Sequence, residues 1–322
     1  MKKALICGVS GQDGALLARL LLDKGYAVAG TSRDAQLARF GNLERLGIAD
    51  RVKLASMTLV DFRNVLQVLK NEQPDEIYNL AGQSSVALSF DQPVETLESV
   101  TVGTLNLLEA VRFLERPVKI YNACSSECFG DVGGAPANED TPFKPRSPYA
   151  AAKAGAFWQV ANYREAYSVF ACSGVLFNHE SELRPARFVT RKVVSAALRI
   201  RAGSRERLVL GNLSVQRDWG WAAEYVDAMW RMLQQDKASD YVIATGQSFS
   251  LEQFVDHAFK FAGLNWRDHV DFDRRLFRPT DLSISRADPS RASRELGWRA
   301  TVAMPQVVER MCAAEAKLQG AK

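Results

Sequence analysis

The sequence predicts an α/β fold, with a doubly wound parallel sheet followed by a smaller C-terminal α/β domain. Three observations support this prediction. Short apolar runs alternate with helical patterns through the first half of the chain. A glycine-rich turn separates the first apolar run from the first helical pattern. Past residue 170 the pattern changes and basic residues occur in short clusters. We therefore expect one domain over mainly residues 1–178 and another over mainly residues 179–322, with some chain crossing between them.

The glycine turn follows the apolar run 4–7 and contains Gly8, Gly11 and Gly14. A strand, a glycine turn and a helix in this order are the context in which glycines bind a dinucleotide. The spacing Gly-x-x-Gly-x-x-Gly is one residue longer at its first gap than the commoner fingerprint. The physical requirements are the same, namely a tight turn and a helix N terminus directed at a pyrophosphate. The turn therefore predicts a Rossmann-like cofactor site.

The second predicted strand, residues 26–31, ends beside Arg33 and Asp34. An arginine at this place favours the 2′-phosphate of NADP, whereas an acid would accept the ribose hydroxyls of NAD. Arg33 therefore predicts NADP, and the neighbouring Asp34 leaves NAD as the alternative.

Later apolar runs predict further strands at residues 52–55, 76–80, 118–123 and 170–177. Asp61 is placed to cap the helix after the third strand, and residues 103–112 read as an amphipathic helix. Small residues follow the fourth strand, so the backbone can approach a cofactor there, with Ser84 or Ser85 reaching a substrate. The pattern Ser-x-x-Gln that begins at Ser250 predicts a capping box.

Hydroxyl and carboxyl groups follow the fifth strand at Ser125, Ser126 and Glu127. At the carboxyl end of a parallel strand they would face the crevice where such sheets bind ligands. Tyr149 and Lys153 are four residues apart at the start of a helical pattern, so they share one face. An ammonium beside a phenol favours the phenolate and lowers its pKa, which suits a general base. The alternative is a chance surface pair, but the glycine turn and the upstream triplet favour a catalytic site.

Composition narrows the possible partners. The net charge of +4 is mildly basic, and no block of Lys and Arg is present, so we expect no nucleic-acid partner. Five cysteines form an odd set without framework spacing, which predicts reduced thiols and a cytoplasmic location. No His/Cys cluster accompanies them, so we expect no metal site. We also expect no export signal and no membrane span, because no long apolar segment occurs.

Basic residues in the second half include Lys192, Arg217 and Arg278. A substrate that carries a pyrophosphate would need such convergent cations. The alternative is that each belongs to an ordinary surface ion pair. His179, next to Asn178, reads as a local hydrogen-bonding residue.

Motifs along almost the whole chain resemble those of one family. They are Gly8-x-x-Gly-Gln-Asp-Gly14 and the segments 76–81, 141–149, 162–167, 176–181, 188–192, 211–213, 217–220 and 243–246. Together they resemble the GDP-mannose 4,6-dehydratases, which are extended short-chain dehydrogenase/reductases that modify nucleotide sugars. The pair Asn-His-Glu-Ser and Phe-Val-Thr-Arg-Lys is much narrower in occurrence than the Tyr-x-x-x-Lys spacing.

The resemblance implies three sets of site residues and no metal. The catalytic set is Ser125, Glu127, Tyr149 and Lys153. The cofactor set is Gly8, Gly11, Gln12, Asp13, Gly14, Arg33, Leu59, Leu80, Ala81, Tyr149, Lys153, Asn178, His179 and Arg184. The substrate set is Ser84, Ser85, Ser126, Asn178, Val189, Lys192, Gly211, Arg217 and Arg278.

The implied activity is that of an NADP-dependent lyase with an internal redox cycle. Tyr149 would deprotonate the sugar 4-hydroxyl while NADP⁺ takes the C4 hydride, and Glu127 would remove the C5 proton. Water would leave from C6 with help from Ser125, and the hydride would return to C6. Two rivals remain: a reductase of GDP-4-keto-6-deoxymannose and a non-catalytic nucleotide-binding relative.

The chain departs from the family pattern in several places. Ser125 replaces a threonine, and Thr58 stands where relatives carry an aspartate that meets the adenine. The loop after Arg33 differs where the family builds a tetramer interface, so we expect a homodimer, with a tetramer as the alternative. Residues 182–185 replace a more basic segment near the substrate. Together these changes suggest a larger sugar, such as the GDP-manno-heptose of some capsule-pathway relatives.

Overall fold

A computed structural model of the chain describes residues 1–320, so positions 321–322 of the predicted second domain lie outside the described residues. Seven parallel strands form the main sheet. In chain order they are β1 (Lys3–Cys7), β2 (Ala27–Ser32), β3 (Lys53–Ser56), β4 (Glu76–Asn79), β5 (Lys119–Ser125), β6 (Ala171–Leu176) and β10 (Tyr241–Ile243). Their order across the sheet is β3-β2-β1-β4-β5-β6-β10.

Five more strands form two small sheets. They are β7 (Asn178–Glu180), β8 (Leu208–Leu210), β9 (Gln216–Trp221), β11 (Ser248–Ser250) and β12 (Val270–Phe272). One sheet has the order β11-β9-β7, and the other pairs β12 with β8.

Helices connect these strands. They are α1 (Gln12–Asp23), α2 (Gly41–Arg45), α3 (Phe62–Glu72), α4 (Val86–Asp91), α5 (Pro93–Leu97), α6 (Gly103–Leu114), α7 (Pro148–Tyr167), α8 (Val189–Arg201), α9 (Ala222–Leu233), α10 (Leu251–Phe261), α11 (Ser290–Leu296) and α12 (Met304–Gly320). A π-helical turn at Glu98–Val102 joins α5 to α6.

The predicted doubly wound parallel sheet is confirmed, and each of the six strands expected from the sequence lies within two residues of its predicted bounds. The strand order reverses between β1 and β4. Ligands of such sheets bind in the crevice outside the carboxyl ends of the strands at this reversal. The glycine turn and the segment after β4 therefore border the same crevice.

The chain after residue 179 does not remain apart from the main sheet. Strand β10 pairs in parallel with β6, with Val242 opposite Val175. A separate apolar core lies among α8, α10 and α12, and includes the fully buried Phe254 and Phe259. The second half therefore has its own core and also contributes one edge strand to the sheet of the first half.

The expected caps are present. The Asp61 carboxylate accepts a hydrogen bond from the backbone N–H of Asn64, and it begins α3. Ser250 and Gln253 form a reciprocal capping box at the start of α10. Such caps satisfy backbone donors that the first helical turn leaves without partners.

Within residues 1–320, no helix has both the length and the apolar character needed to cross a membrane.

Candidate active site

A cleft of about 470 Å³ lies at the carboxyl ends of β4, β5 and β6 and extends between the two halves of the chain. It contains all four predicted catalytic residues and most of the predicted ligand-binding ones. The predicted residues that line it are Asp13, Leu80, Ser84, Ser85, Ser125, Ser126, Glu127, Tyr149, Lys153, Asn178, His179, Arg184, Val189, Lys192, Gly211, Arg217 and Arg278. The fold therefore brings residues from distant parts of the sequence to one site.

Seven predicted cofactor residues lie outside the walls of this cleft: Gly8, Gly11, Gln12, Gly14, Arg33, Leu59 and Ala81. Gly8 and Gly11 lie in the turn between β1 and α1, Gln12 and Gly14 lie in the first turn of α1, and Ala81 packs against Gly8. Leu59 lies behind them, against Gly103. These positions continue the crevice along the sheet edge towards β2.

The glycine turn has the geometry that a pyrophosphate requires. Gly8 has φ of +84°, and a Cβ atom there would lie 3.1 Å from the backbone of Ala81. A Cβ atom on Gly14 would lie 2.4 Å from the Gly8 carbonyl oxygen. Within residues 1–320, no side chain caps the N terminus of α1, so its first N–H groups are available to an anion. The residues present fit a dinucleotide cofactor.

A buried polar network ties α1 to β7 beside the turn. The His179 ring lies 2.8 Å from Asp13 Oδ2 through Nε2 and 2.7 Å from the Phe177 carbonyl through Nδ1. Both neighbours are acceptors, an arrangement that favours the protonated imidazole, because only that form donates from both ring nitrogens. Although burial opposes this charge, Asp13 raises the pKa of His179, and His179 holds the pKa of Asp13 at about 2. The predicted local hydrogen-bonding role of His179 is confirmed.

Helix α7 presents Tyr149 and Lys153 to the cleft. The helix begins there because the Ser147 hydroxyl caps the N–H of Ala150 and Pro148 occupies the first turn. Both side chains are buried, and the Lys153 ammonium lies 5.9 Å from the centre of the Tyr149 ring. Their four-residue spacing thus places them on one face, as the sequence predicts.

The predicted effect of Lys153 on its neighbour is wrong in this structure. The Lys153 ammonium donates to the Ala123 carbonyl at 2.7 Å, so it is held against β5 rather than at the phenol oxygen. The pKa of Tyr149 is raised because burial disfavours the phenolate, and a hydrogen bond with Ser125 only partly offsets this. Burial also lowers the pKa of Lys153. Sequence spacing predicted the contact face but carried no information on the desolvation of either group.

Glu127 and Tyr149 share the same pocket. The Ser125 hydroxyl accepts the N–H of Glu127 at 3.3 Å and begins a short 3₁₀ turn over Ser126–Phe129. The Glu127 charge is close enough to Tyr149 to contribute to its raised pKa. A hydroxyl, a phenol and a carboxylate therefore face one reacting volume, with a lysine behind them.

Arg33 lies directly after β2, where a cofactor ribose is expected. Its guanidinium is largely exposed and lies 3.5 Å from the Glu95 carboxylate. The Asp34 carboxylate instead accepts the N–H groups of Gln36 and Leu37. That carboxylate is thus engaged in its own turn, whereas the Arg33 guanidinium is exposed to solvent.

The three predicted cations Lys192, Arg217 and Arg278 line the cleft and differ in exposure and in hydrogen bonding. Arg217 is buried and donates to the carbonyls of Gln216 and Leu282. Arg278 is one-third exposed, and Lys192 donates to the Val209 carbonyl at 2.7 Å. All three line the cleft, and Arg217 and Arg278 also form ion pairs with Asp281.

Other cleft residues were not anticipated from the sequence. Asp281, Phe277 and Arg187 line the walls, and Arg187 stacks on Phe188. Asp281 is three residues after Arg278, a spacing that could have suggested an ion pair. Phe277 and Arg187 have no comparable sequence spacing that would suggest their contacts in the cleft.

Within the described range, no group of three or more His, Cys, Asp or Glu side chains is arranged to hold a metal ion. All five cysteines are buried and reduced there, including Cys124 and Cys128, whose sulfur atoms lie 3.7 Å apart.

Solved structures share the fold at low sequence identity. A dTDP-glucose 4,6-dehydratase from Bacillus anthracis, solved in complex with NAD, aligns with a TM-score of 0.86 over 99% of this chain and 98% of its own, at 17% identity. The RMD protein from Pseudomonas aeruginosa, complexed with NADPH, aligns with a TM-score of 0.81 over 99% of this chain and 100% of its own, at 21% identity.

Curated relatives are much closer in sequence. GDP-mannose 4,6 dehydratase 1 of Arabidopsis thaliana is 46% identical over 96% of this chain and 88% of its own length. The GDP-mannose 4,6-dehydratase of Sinorhizobium fredii (strain HH103) is 46% identical over 92% of each chain, and the human protein is 42% identical over 98% and 91%. The family model for GDP-mannose 4,6 dehydratase matches residues 5–311. The chain belongs to the GDP-mannose 4,6-dehydratase family.

Proposed function

We propose that the protein is a GDP-sugar 4,6-dehydratase that converts GDP-mannose or a GDP-manno-heptose to the GDP-4-keto-6-deoxy sugar, with NADP as an internally recycled cofactor. The observation that carries the proposal is the shared cleft of Ser125, Glu127, Tyr149 and Lys153, beside a glycine turn that fits a dinucleotide. Bound NADP would supply the chemistry of accepting a hydride from C4 and returning it to C6.

Tyr149 acts on the sugar 4-hydroxyl in this proposal. The phenolate form of Tyr149 takes the proton as the 4-ketone forms, and the raised pKa of Tyr149 makes that form a strong base. Lys153, one turn further along α7, donates its ammonium to the Ala123 carbonyl and contacts the cofactor in this proposal. Burial of both groups keeps water from the reacting carbon.

Glu127 and Ser125 act on the elimination. The ketone acidifies C5, whose proton Glu127 removes, and the same carboxyl then protonates the leaving hydroxyl at C6. The Ser125 hydroxyl assists as a hydrogen-bond donor. Serine has no β-methyl group, so its hydroxyl is less restricted in rotation than a threonine's would be.

The two halves of the chain divide the ligands in this proposal. Residues 1–178 mainly bind NADP, and residues 179–322 mainly bind the GDP sugar. Lys192, Arg217 and Arg278 hold the pyrophosphate. Asn178, Val189 and Gly211 contact the nucleotide, and the sugar lies against Ser84, Ser85 and Ser126.

The choice between a hexose and a heptose rests on the segment 182–185. This segment replaces a more basic one of the family pattern, and the neighbouring Arg187 lines the cleft. A change in this segment beside the cleft fits a change in the sugar rather than in the nucleotide.

Turnover without added reductant tests the proposal. Enzyme with bound NADP and GDP-mannose, or GDP-manno-heptose, is expected to form a product that loses water by mass and absorbs in alkali as a 4-keto sugar. The rival reductase would instead consume NADPH stoichiometrically. Absence of water loss from both sugars would contradict the proposed function.

The preference for NADP rests on Arg33. We expect Arg33→Ala to weaken NADP binding about tenfold, since a charge-assisted hydrogen bond to the 2′-phosphate is lost. NAD binding should stay within about twofold of the wild type. Fluorescence titration of both cofactors measures the change.

Arg51→Ala is the matched control. Arg51 is also exposed, but it precedes β3 and so lies at the amino ends of the strands, away from their carboxyl ends. Tighter binding of NAD than of NADP to the wild-type protein would overturn the cofactor assignment.

We also propose a homodimer, with a tetramer as the alternative. Large apolar side chains are exposed on three neighbouring helices, at Val94 and Leu97 of α5, Phe113 of α6, and Trp158 and Tyr167 of α7. A second copy would bury this face. Light scattering gives the mass in solution. The five buried thiols support a cytoplasmic, reducing location.

A further inference from the structure

One carboxylate joins two of the cations in the cleft. Asp281 Oδ1 lies 2.9 Å from Nη2 of Arg217 and 3.5 Å from Nη1 of Arg278. The same oxygen accepts the backbone N–H of Leu282 at 3.0 Å. Because Asp281 itself lines the cleft, this three-way contact lies in the wall rather than behind it.

The contacts of Arg217 leave a defined part of its guanidinium for a ligand. A guanidinium has five N–H donors. Nη1 donates to the carbonyls of Gln216 and Leu282, and Nη2 donates to Asp281. Three donors are thus used within residues 1–320, and the remaining two lie on Nη2 and Nε. Those two can grip a phosphate as a fork, provided that the guanidinium cannot rotate.

Asp281 also reduces the repulsion between the two arginines. Two guanidinium groups within 3.5 Å of one oxygen atom repel each other strongly when no anion lies between them. Arg217 has only 8% of its side chain exposed, so water cannot screen its charge well. A fixed carboxylate keeps both cations close together before any ligand binds.

We propose that Asp281 is a positioning residue that holds Arg217 and Arg278 at the spacing of a diphosphate, so that GDP binds a preformed pair of cations. This inference rests on the proposed function, because it assumes that the two arginines bind the diphosphate of a GDP sugar. The carboxylate acts through the arginines and makes no direct contribution to the chemical step.

Binding of GDP and of 2′,3′-dideoxy-GDP to the NADP-loaded enzyme tests the proposal by calorimetry. We expect Asp281→Asn to weaken both ligands by the same factor, about tenfold, because a charge-assisted bond to an arginine is lost. Asp281→Glu keeps the charge and should stay within about threefold of the wild type. KM for the GDP sugar should rise with the same factor while kcat stays within about twofold.

Asp271→Asn is the matched control, because Asp271 forms an exposed ion pair with Arg207 in the second half of the chain and does not line the cleft. Thermal melting verifies that each variant is folded, and Asp281→Ser replaces Asp281→Asn if the latter is not. Unchanged GDP affinity in the neutral variant would overturn the proposal. A loss of affinity in Asp281→Asn that is seen with GDP but not with dideoxy-GDP would also overturn it, since the carboxylate would then act on the ribose hydroxyls.

Binding and turnover are measured separately in these experiments. A wild-type enzyme that binds GDP but forms no 4-keto product contradicts the proposed function and leaves the role of Asp281 intact. Equal affinity of the wild type and Asp281→Asn for GDP, in an enzyme that does turn over, contradicts only the role of Asp281.

Discussion

Replacing Tyr149 with phenylalanine is expected to lower kcat by about 10²–10⁴-fold, the usual contribution of a positioned acid or base. The phenol is buried in the cleft, so no water molecule can easily take its place as the base for the 4-hydroxyl. Binding of the GDP sugar should change little, because the proposed phosphate contacts come from Lys192, Arg217 and Arg278 rather than from the phenol. Formation of the 4-keto product and calorimetric binding of GDP measure the two effects.

Tyr167→Phe is a suitable control, since Tyr167 is exposed at the end of the same helix. It removes the same hydroxyl group from α7 without touching the cleft. Equal turnover by the wild type and Tyr149→Phe would show that the proposed base is idle, and it would favour the non-catalytic rival.

Replacing Glu127 with glutamine is expected to stop deprotonation at C5 and to lower formation of the dehydrated product by about 10²–10⁴-fold. The amide keeps the size of the side chain but cannot accept the proton. In D₂O the wild-type product should carry deuterium at C5, and the residual product of the variant should form at the reduced rate. Affinity for GDP should stay within about twofold, because the proposed phosphate contacts come from Lys192, Arg217 and Arg278 and not from Glu127.

Glu165→Gln, on the exposed face of α7, controls for the loss of one negative charge. Solvent deuterium that enters C5 at an undiminished rate in Glu127→Gln would assign the proton transfer to another group. Because Tyr149 lines the same cleft, the double variant would then show whether Tyr149 takes over that role.

The sequence predicts the large sheet well because its signals are local. Each strand is a short apolar run, and the turn after β1 needs glycine for steric reasons that hold wherever it occurs. The caps at Asp61 and Ser250 likewise depend on contacts within a single turn of helix. The site residues follow from the fold, because parallel strands end at one edge.

Features that depend on burial or on distant contacts are not predictable in this way. Spacing placed Lys153 beside Tyr149, but only the packed structure shows that the ammonium is bound by the Ala123 carbonyl. Arg217 and Arg278 stand out in the sequence by their charge, whereas Asp281, 64 residues from Arg217, does not. An acid among cations carries no signal until the fold brings them together.

The placement of β10 has a consequence for dissecting the enzyme. This strand covers the edge of β6 and is followed directly by Ala244 and Thr245, whose loop is held by the carboxylate of Asp218 next to Arg217. A fragment that ends near residue 178 would leave the edge of β6 bare and liable to self-association. We therefore expect a fragment of either half to be less stable than the whole chain, and an exchange of one half between relatives to disturb the shared sheet.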